Sequence, residues 1–163
     1  MIDSAILAQA EALLERCKAA GVMVATAESC TGGLIAATLT AIAGSSAVVD
    51  RGFVTYTNEA KAEMVGVPPA LIAAHGAVSE PVARAMAEGA LARSRAQLAV
   101  AVTGVAGPGG GSAEKPVGLV WFGCARTGQP TVSARKLFPG DRTDIRRLTV
   151  AEALAMLTRR LAQ

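Results

Sequence analysis

The sequence predicts an α/β protein, a three-layer α/β/α sandwich around a mainly parallel, mixed sheet. Residues 22–43 run through a β-branched segment, a glycine-containing turn and a helical pattern, the strand–turn–helix unit that begins an α/β layer. Residues 98–103 are almost wholly apolar, which is typical of a parallel strand covered by helices on both faces. Hydrophobic residues make up 52% of the chain, aromatic residues only 3%, and 17 glycines favour close packing of helices on the sheet.

In the first half of the chain, helix and strand signals alternate. Apolar residues recur at helical spacing to Ala20, Gly21 follows as a stop, and Thr57 offers a cap for a short helix that Gly66 and the Pro68-Pro69 pair end. Strand segments are β-branched or alternate apolar with polar residues. The expected elements are, in chain order, a helix at 4–20, a strand at 22–26, a helix at 33–43, a strand at 48–56 and a helix at 59–65.

The second half ends in an expected hairpin and a long helix. Ser79 followed by Glu80-Pro81 is a strong helix start, and Asp141 caps the last helix. A turn at residues 127–130 joins two strand segments, which favours an antiparallel pair. The expected elements are a helix at 80–93, a strand at 98–103, strands at 117–125 and 131–138, and a helix at 142–161.

Length and composition indicate a single domain over residues 1–163 with a packed core. No run approaches the roughly 18 apolar residues that a membrane span needs, so no membrane association is expected. No export signal is visible at the N-terminus, and a cytoplasmic location follows as the default expectation. The three cysteines are odd in number and lack CxxC spacing, so neither a disulfide framework nor a metal site is expected, and no cofactor is indicated.

The basic charge is concentrated near the C-terminus. Residues 126–163 carry eight basic and three acidic side chains, although the whole chain has a formal charge of only +3. The five aromatic residues do not interleave with the basic ones and no nucleic-acid-binding signature is present, so nucleic acid is not the expected partner. A small anionic ligand fits this modest local bias better.

Two loops are candidate ligand sites. Residues 28–33 (ESCTGG) lie between a strand end and a helix start, where free backbone N–H groups favour an anion and Ser29 and Thr31 can add hydroxyl donors, although an ordinary turn capped by Thr31 is about equally consistent. Residues 103–116 contain five glycines and two prolines after the most buried strand, where open α/β sheets place ligands. Neither loop matches an ATPase or dinucleotide-binding motif.

A third constellation combines Gly44-Ser45-Ser46 with Tyr56 and Lys61. A serine needs a base to act as a nucleophile, and a lysine serves if its surroundings keep it neutral. Spacing alone does not establish this chemistry, because a surface lysine and a Gly-Ser-Ser loop are common features. Cys30 is expected to be a packing residue, since the lone His75 lies in an expected loop and offers it no partner.

Several stretches together resemble the C-terminal domain of the competence/damage-inducible CinA proteins, a family that also occurs as stand-alone nicotinamide-nucleotide amidohydrolases. They cover the chain from end to end. The stretches are AESCTGG (27–33), GSSA (44–47), RGFVTYTNEAK (51–61), HGAVSEPV (75–82), TGVAGPGGGSAEKPVG (103–118) and GDR (140–142).

The resemblance implies metal-free hydrolysis of the carboxamide of nicotinamide mononucleotide to nicotinic acid mononucleotide and ammonia, a step of pyridine-nucleotide salvage. Carried over by position, it implies Ser46 as the nucleophile, with Ser45 as the alternative, Lys61 as the general base and Tyr56 as a possible proton relay. Substrate binding is then expected from residues of the two loops and the last helix, namely Ser29, Thr31, Gly32, Gly33, Thr103, Gly104 and Arg142.

The family also implies a homo-oligomer with a small pyridine nucleotide as its partner. A non-catalytic binding or regulatory module in competence or DNA repair is the alternative function. We expect hydrogen-bond reach between Ser46 and Lys61 inside a pocket to discriminate the two, because a binding module does not require it.

Overall fold

The computed structural model describes residues 2–163, in which five strands form one mixed sheet. Three consecutive helices connect the second strand to the third, and a short 3-10 turn at Ser45–Ala47 precedes the second strand. The strands are β1 (Val24–Glu28), β2 (Val49–Val54), β3 (Leu98–Gly104), β4 (Leu119–Arg126) and β5 (Val132–Leu137). The helices are α1 (Ser4–Ala20), α2 (Leu34–Thr40), α3 (Asn58–Val65), α4 (Pro69–His75), α5 (Glu80–Ala92) and α6 (Arg142–Leu161).

The sheet order is β2-β1-β3-β4-β5, with β2, β1 and β3 parallel and the β4–β5 hairpin antiparallel. The last residue of β1, Glu28, pairs with Val54 on one side and Val102 on the other. The three parallel strands therefore end at the same edge. Parallel sheets place ligands at this carboxyl edge, and the segments that follow β1, β2 and β3 meet there.

Helices cover both faces of the sheet, so the predicted three-layer architecture is confirmed. On one face, α1, α2 and α6 contribute buried residues such as Leu13, Ile35 and Leu154 to a core around Phe122. On the other face, α3, α4 and α5 pack a smaller, alanine-rich core that includes Met86. Within residues 2–163 no helix has the length and apolarity needed to cross a membrane.

The structure differs from the sequence prediction mainly at residues 66–78. The Pro68-Pro69 pair was expected only to end a helix, but Pro69 opens α4, because a proline at the first helical position loses no intrahelical hydrogen bond. His75, expected in a loop, is the last residue of that helix. Elsewhere the boundaries shift by a few residues: β1 begins at Val24 rather than Val22, and α2 spans Leu34–Thr40.

Candidate active site

A pocket of about 310 Å³ opens at the carboxyl edge of the parallel strands. One wall comes from Ser29 and Cys30 after β1 and from the segment between β2 and α3. The other walls come from residues 103–110, Ala77 and Val78, and the first residue of α6, Arg142. The volume lies at the lower end of the range typical of small-molecule sites.

Lys61 is the main polar group of the pocket interior. Although its helix α3 lies near the surface, its side chain is only 1% exposed. Its Nζ lies 3.0 Å from Ser29 Oγ, 2.9 Å from the Thr55 carbonyl oxygen and 3.2 Å from the Tyr56 carbonyl oxygen. A neutral lysine amine has two N–H donors and one lone pair, so donation to the two carbonyls leaves the lone pair for the Ser29 hydroxyl proton.

Burial makes the amine of Lys61 easier to deprotonate than an exposed lysine. Desolvation disfavours the ammonium and lowers the pKa of Lys61 from the ordinary 10.5, while the nearby Cys30 thiol acts more weakly in the opposite direction. A lysine with a lowered pKa beside a hydroxyl has the arrangement of a general base next to its nucleophile.

Local structure explains why Ser29 faces Lys61. Ser29 directly follows β1, and its N–H donates to the Val102 carbonyl of β3, so its backbone is fixed to the sheet edge. The Thr55 N–H donates to the Glu28 carbonyl at 2.8 Å, which holds the segment that enters α3 against the same edge. The Thr57 hydroxyl caps α3 and thereby sets the orientation of the helix that carries Lys61.

The backbone carbonyl and the side-chain hydroxyl of Tyr56 contact different residues. Its carbonyl oxygen accepts from Lys61, whereas its hydroxyl lies 3.3 Å from Nη2 of Arg142. Arg142 also donates from Nη1 to the Gly107 carbonyl at 2.8 Å, which ties α6 to the glycine-rich loop. The expected relay of a proton through the Tyr56 hydroxyl has no counterpart in these contacts, because Lys61 reaches Ser29 directly.

The glycine-rich segment after β3 supplies most of the remaining lining. The Thr103 hydroxyl donates to the Ala77 carbonyl at 2.9 Å, and this contact fixes the opposite wall. Gly104 packs so closely on β4 that a Cβ there would lie 2.8 Å from the Leu119 carbonyl oxygen, which explains the glycine. Ser29, Thr103, Gly104 and Arg142, all predicted to bind substrate, therefore lie together in the pocket.

Ser46 does not lie near this group, contrary to the expectation that it reaches Lys61. Ser46 is exposed and lies in the 3-10 turn before β2. Ser46 precedes the first residue of β2, whereas Lys61 contacts Thr55, which follows the last. The six residues of β2 span roughly 20 Å, and this length separates the two side chains. Ser45 occupies the same turn, so the structure brings neither serine to Lys61; Ser29 is the serine in that position.

Thr31, Gly32 and Gly33 are also placed differently from the expectation of a phosphate site at the start of α2. The N–H groups of Ile35 and Ala36 donate to the Glu28 carboxylate at 2.8 and 3.0 Å, and the Thr31 hydroxyl donates to the same carboxylate at 2.6 Å. This helix start is therefore already paired with an anion of the chain itself. The sequence analysis missed Glu28, although its place at the strand end before the turn was a usable signal.

Cys30 lines the pocket beside Ser29 but is a poor nucleophile. Burial raises the pKa of the Cys30 thiol to about 12, and the thiolate is the reactive form of cysteine. The packing role expected from sequence agrees with this environment. Among residues 2–163 no cluster of three or more His, Cys, Asp or Glu side chains is arranged to hold a metal ion.

Comparison with known proteins decides the family. The sequence model of the family described as the CinA C-terminal domain matches residues 7–161 of this chain. The chain belongs to the CinA C-terminal domain family. Its fold agrees with this assignment: a competence/damage-inducible protein from Agrobacterium tumefaciens superposes with a TM-score of 0.96 at 53% identity, covering 100% of this chain and 99% of that one.

Two curated relatives of this CinA C-terminal domain differ in length. The nicotinamide-nucleotide amidohydrolase PncC of Escherichia coli K12 is 52% identical over 163 residues, which is 100% of this chain and 99% of that protein. A CinA-like protein of Mycolicibacterium paratuberculosis is 56% identical over 147 residues, 87% of this chain but only 34% of that longer protein. This chain thus matches both stand-alone proteins of its own length and one part of larger ones.

Proposed function

We propose that the chain is an amidohydrolase that converts nicotinamide mononucleotide to nicotinic acid mononucleotide and ammonia, with Ser29 as nucleophile and Lys61 as general base. The observation that carries the proposal is the 3.0 Å contact between Lys61 Nζ and Ser29 Oγ inside a pocket. Full-length identity of 52% to a nicotinamide-nucleotide amidohydrolase supports the substrate. Such a reaction serves the salvage of pyridine nucleotides.

In the acylation half, Ser29 Oγ attacks the carboxamide carbon while neutral Lys61 takes the hydroxyl proton. The carbonyl oxygen of the substrate gains negative charge in the tetrahedral intermediate, and backbone N–H groups at the pocket wall stabilise it. The carbon–nitrogen bond then breaks, and protonated Lys61 returns the proton to the leaving nitrogen, so ammonia departs. The product on the enzyme is an ester between Ser29 and the nicotinoyl carbon.

Deacylation repeats these steps with water. Lys61 takes a proton from the water molecule as its oxygen attacks the ester carbon. The bond to Ser29 Oγ breaks, Lys61 returns the proton to that oxygen, and nicotinic acid mononucleotide leaves with a free carboxylate. The carbonyls of Thr55 and Tyr56 hold Nζ in place through both halves, because each accepts one of its N–H groups.

Arg142 is the proposed contact for the substrate phosphate. Its guanidinium lines the pocket and has five N–H donors, and the contacts to Gly107 and Tyr56 use only part of them. Guanidinium groups pair with phosphate through charge-assisted hydrogen bonds. Gly107, Gly109 and Gly110 line the pocket beside it, where backbone N–H groups can approach the same phosphate.

The alternative of a non-catalytic module explains the pocket less well. A module that only binds a ligand does not need a lysine buried to 1% exposure next to a serine hydroxyl. Burying an amine is costly, and the position of this one matches the chemistry of amide hydrolysis.

A homo-oligomer is part of the proposal. The large exposed hydrophobic side chains of Val54, Tyr56 and Met64 belong to the β2–α3 region beside the edge strand β2. Exposed apolar patches of this kind are typical of interaction surfaces. Light scattering coupled to size-exclusion chromatography measures the mass directly, and a mass of 16.4 kDa would contradict this part of the proposal.

The proposal also includes a single domain over residues 1–163. It further includes a cytoplasmic location. Both helical layers pack on the same sheet, which supports a single cooperative unit. One coincident urea transition by fluorescence and circular dichroism is expected, and two separated transitions would contradict it. Fractionation of cells that express the natural gene tests the location.

The activity is tested by incubating the protein with nicotinamide mononucleotide in the presence of a chelator and measuring ammonia and nicotinic acid mononucleotide. We expect equal amounts of both products from the native protein. Lys61→Met keeps the apolar stem but removes the base, so we expect its kcat to fall by about 10²- to 10⁴-fold. Absence of both products with the native protein would overturn the proposed function.

A further inference from the structure

Glu28 is a buried carboxylate next to the proposed nucleophile. It is 1% exposed, and its side chain lies beneath the turn that carries Ser29. Oε1 accepts from the Thr31 hydroxyl at 2.6 Å and from the Ile35 N–H at 2.8 Å, while Oε2 accepts from the Ala36 N–H at 3.0 Å. One side chain thus ties the turn at Thr31 to the first turn of α2.

The main-chain carbonyl of Glu28 helps to position Lys61, the other residue of the proposed reaction. Its carbonyl oxygen accepts the Thr55 N–H at 2.8 Å, and the Thr55 carbonyl in turn accepts from Lys61 Nζ at 2.9 Å. Glu28 therefore connects the turn of Ser29 to the segment that orients Lys61.

We infer that Glu28 is a positioning residue: its carboxylate sets the geometry of the turn so that Ser29 Oγ faces Lys61 Nζ. This inference rests on the proposed function, in which these two atoms perform the reaction. A carboxylate suits the task because it only accepts hydrogen bonds, and three donors point at it. In residues 2–163 its contacts are to neutral donors, without an ion pair that would draw it toward another part of the fold.

A glutamine at this position has the same shape as the glutamate, but one of the two accepting carboxylate oxygens is replaced by an NH₂ group that donates. Its NH₂ group would face an N–H or hydroxyl donor of the turn, so one of the three contacts becomes a donor–donor clash. The turn must then shift, and small displacements of a nucleophile have large kinetic effects. A group that only stabilised the fold would change the unfolding midpoint without changing kcat at a temperature where the protein stays folded.

The first test compares Glu28→Gln with native protein for kcat and KM in the ammonia assay, with circular dichroism to establish folding. We expect kcat to fall by about 10- to 100-fold with KM within about twofold. Glu15→Gln, an exposed glutamate on α1, is the matched control and should leave both constants unchanged. A folded Glu28→Gln protein with native kcat would overturn the inference.

If Glu28→Gln does not fold, Thr31→Val decides the matter, because it removes one donor and leaves the carboxylate with its two backbone contacts. We expect kcat to fall by about 3- to 10-fold at unchanged KM. Thr38→Val is its control, since the Thr38 hydroxyl is also buried in α2 but donates to the Leu34 carbonyl. Equal kcat for Thr31→Val, Thr38→Val and native protein would overturn the inference.

A measurement without nucleotide separates this inference from the proposed function. Phenylmethanesulfonyl fluoride reacts with an activated serine, and mass spectrometry gives the rate of modification at Ser29. We expect the native rate to fall by about 10-fold or more in the same variants. If native protein releases no ammonia, the proposed function fails, and this rate alone decides the role of Glu28: an equal rate in the variants, or no modification of native Ser29, would overturn it.

Discussion

Ser29 and Lys61 are 32 positions apart in the chain, yet Ser29 Oγ and Lys61 Nζ lie 3.0 Å apart at the carboxyl edge of the sheet. The contact depends on register: Glu28 pairs with Val54, so the residues that follow β1 and β2 come side by side. Nothing local in the sequence brings these two side chains together, and the parallel pairing of β1 with β2 does so.

The pH dependence of the reaction should follow Lys61. The base works only as the neutral amine, so kcat/KM should rise with pH through the pKa of Lys61 and level off above it. Because burial lowers that pKa, the midpoint of the rise should lie below the ordinary value of 10.5. Initial rates over the range from about pH 6 to about pH 11.5 measure this, and a rise centred near 10.5 would mean that Lys61 is not the titrating base.

Arg142→Met should weaken binding of the nucleotide through loss of its phosphate contact. We expect KM for nicotinamide mononucleotide to rise by about 10- to 100-fold, with a smaller change in kcat. Nicotinamide riboside lacks the phosphate, so the native protein should use it poorly and the substitution should change its turnover little. Arg135→Met, an exposed arginine of β5, is the control for loss of a positive charge. Equal losses on both substrates would contradict a phosphate contact.

Lys115 fastens the end of the glycine-rich loop, and Lys115→Met should loosen it. Lys115 Nζ donates to the His75 carbonyl at 2.6 Å, which joins the loop to the C-terminus of α4. Gly107, Gly109 and Gly110 of this loop line the pocket, so we expect KM to rise by about 3- to 10-fold and amide hydrogen exchange in the loop to speed up. Lys136→Met, exposed on β5, should do neither. Unchanged exchange would show that this contact does not hold the loop.

Gly89→Ala should destabilise the protein although alanine favours helices. A Cβ at Gly89 would overlap the Val65 carbonyl oxygen, where α5 packs against α3. Because the overlap is with backbone, its relief should cost about 2–3 kcal/mol of unfolding free energy, more than the roughly 1 kcal/mol that the alanine gains in helix propensity. Urea unfolding measures the difference. Gly109→Ala, where a Cβ meets nothing within 4 Å, should stay within about 0.5 kcal/mol of native, and equal stabilities would contradict the packing.

The fold was predictable because its signals are local. Gly21, Thr57 and Asp141 all lie at the helix ends assigned to them from sequence, and α1 and α6 have the predicted bounds. The omission of α4 has a simple cause: the Pro68-Pro69 pair follows the end of one helix and begins the next. The helix end can be recognised from the prolines alone, whereas the helix start can be recognised only when the neighbouring elements are known.

The candidate site was only partly predictable, since its geometry is tertiary. The family resemblance assigned Lys61 and Arg142 to the site, and both line the pocket. The resemblance implied Ser46 as the nucleophile although a strand was predicted at 48–56, and in the structure β2 separates Ser46 from Lys61. The start of α2 was expected to hold phosphate, but the pairing of its N–H groups with Glu28 becomes visible only when the side chain is placed.

The most direct test of the Ser29–Lys61 assignment is ammonia release from nicotinamide mononucleotide by Ser29→Ala beside Ser46→Ala, each compared with native protein at the same concentration. The account predicts that Ser29→Ala loses activity by about 10³-fold or more while Ser46→Ala keeps the native rate. Native activity in Ser29→Ala together with loss in Ser46→Ala would contradict it, because the nucleophile would then lie at the opposite end of the sheet from Lys61.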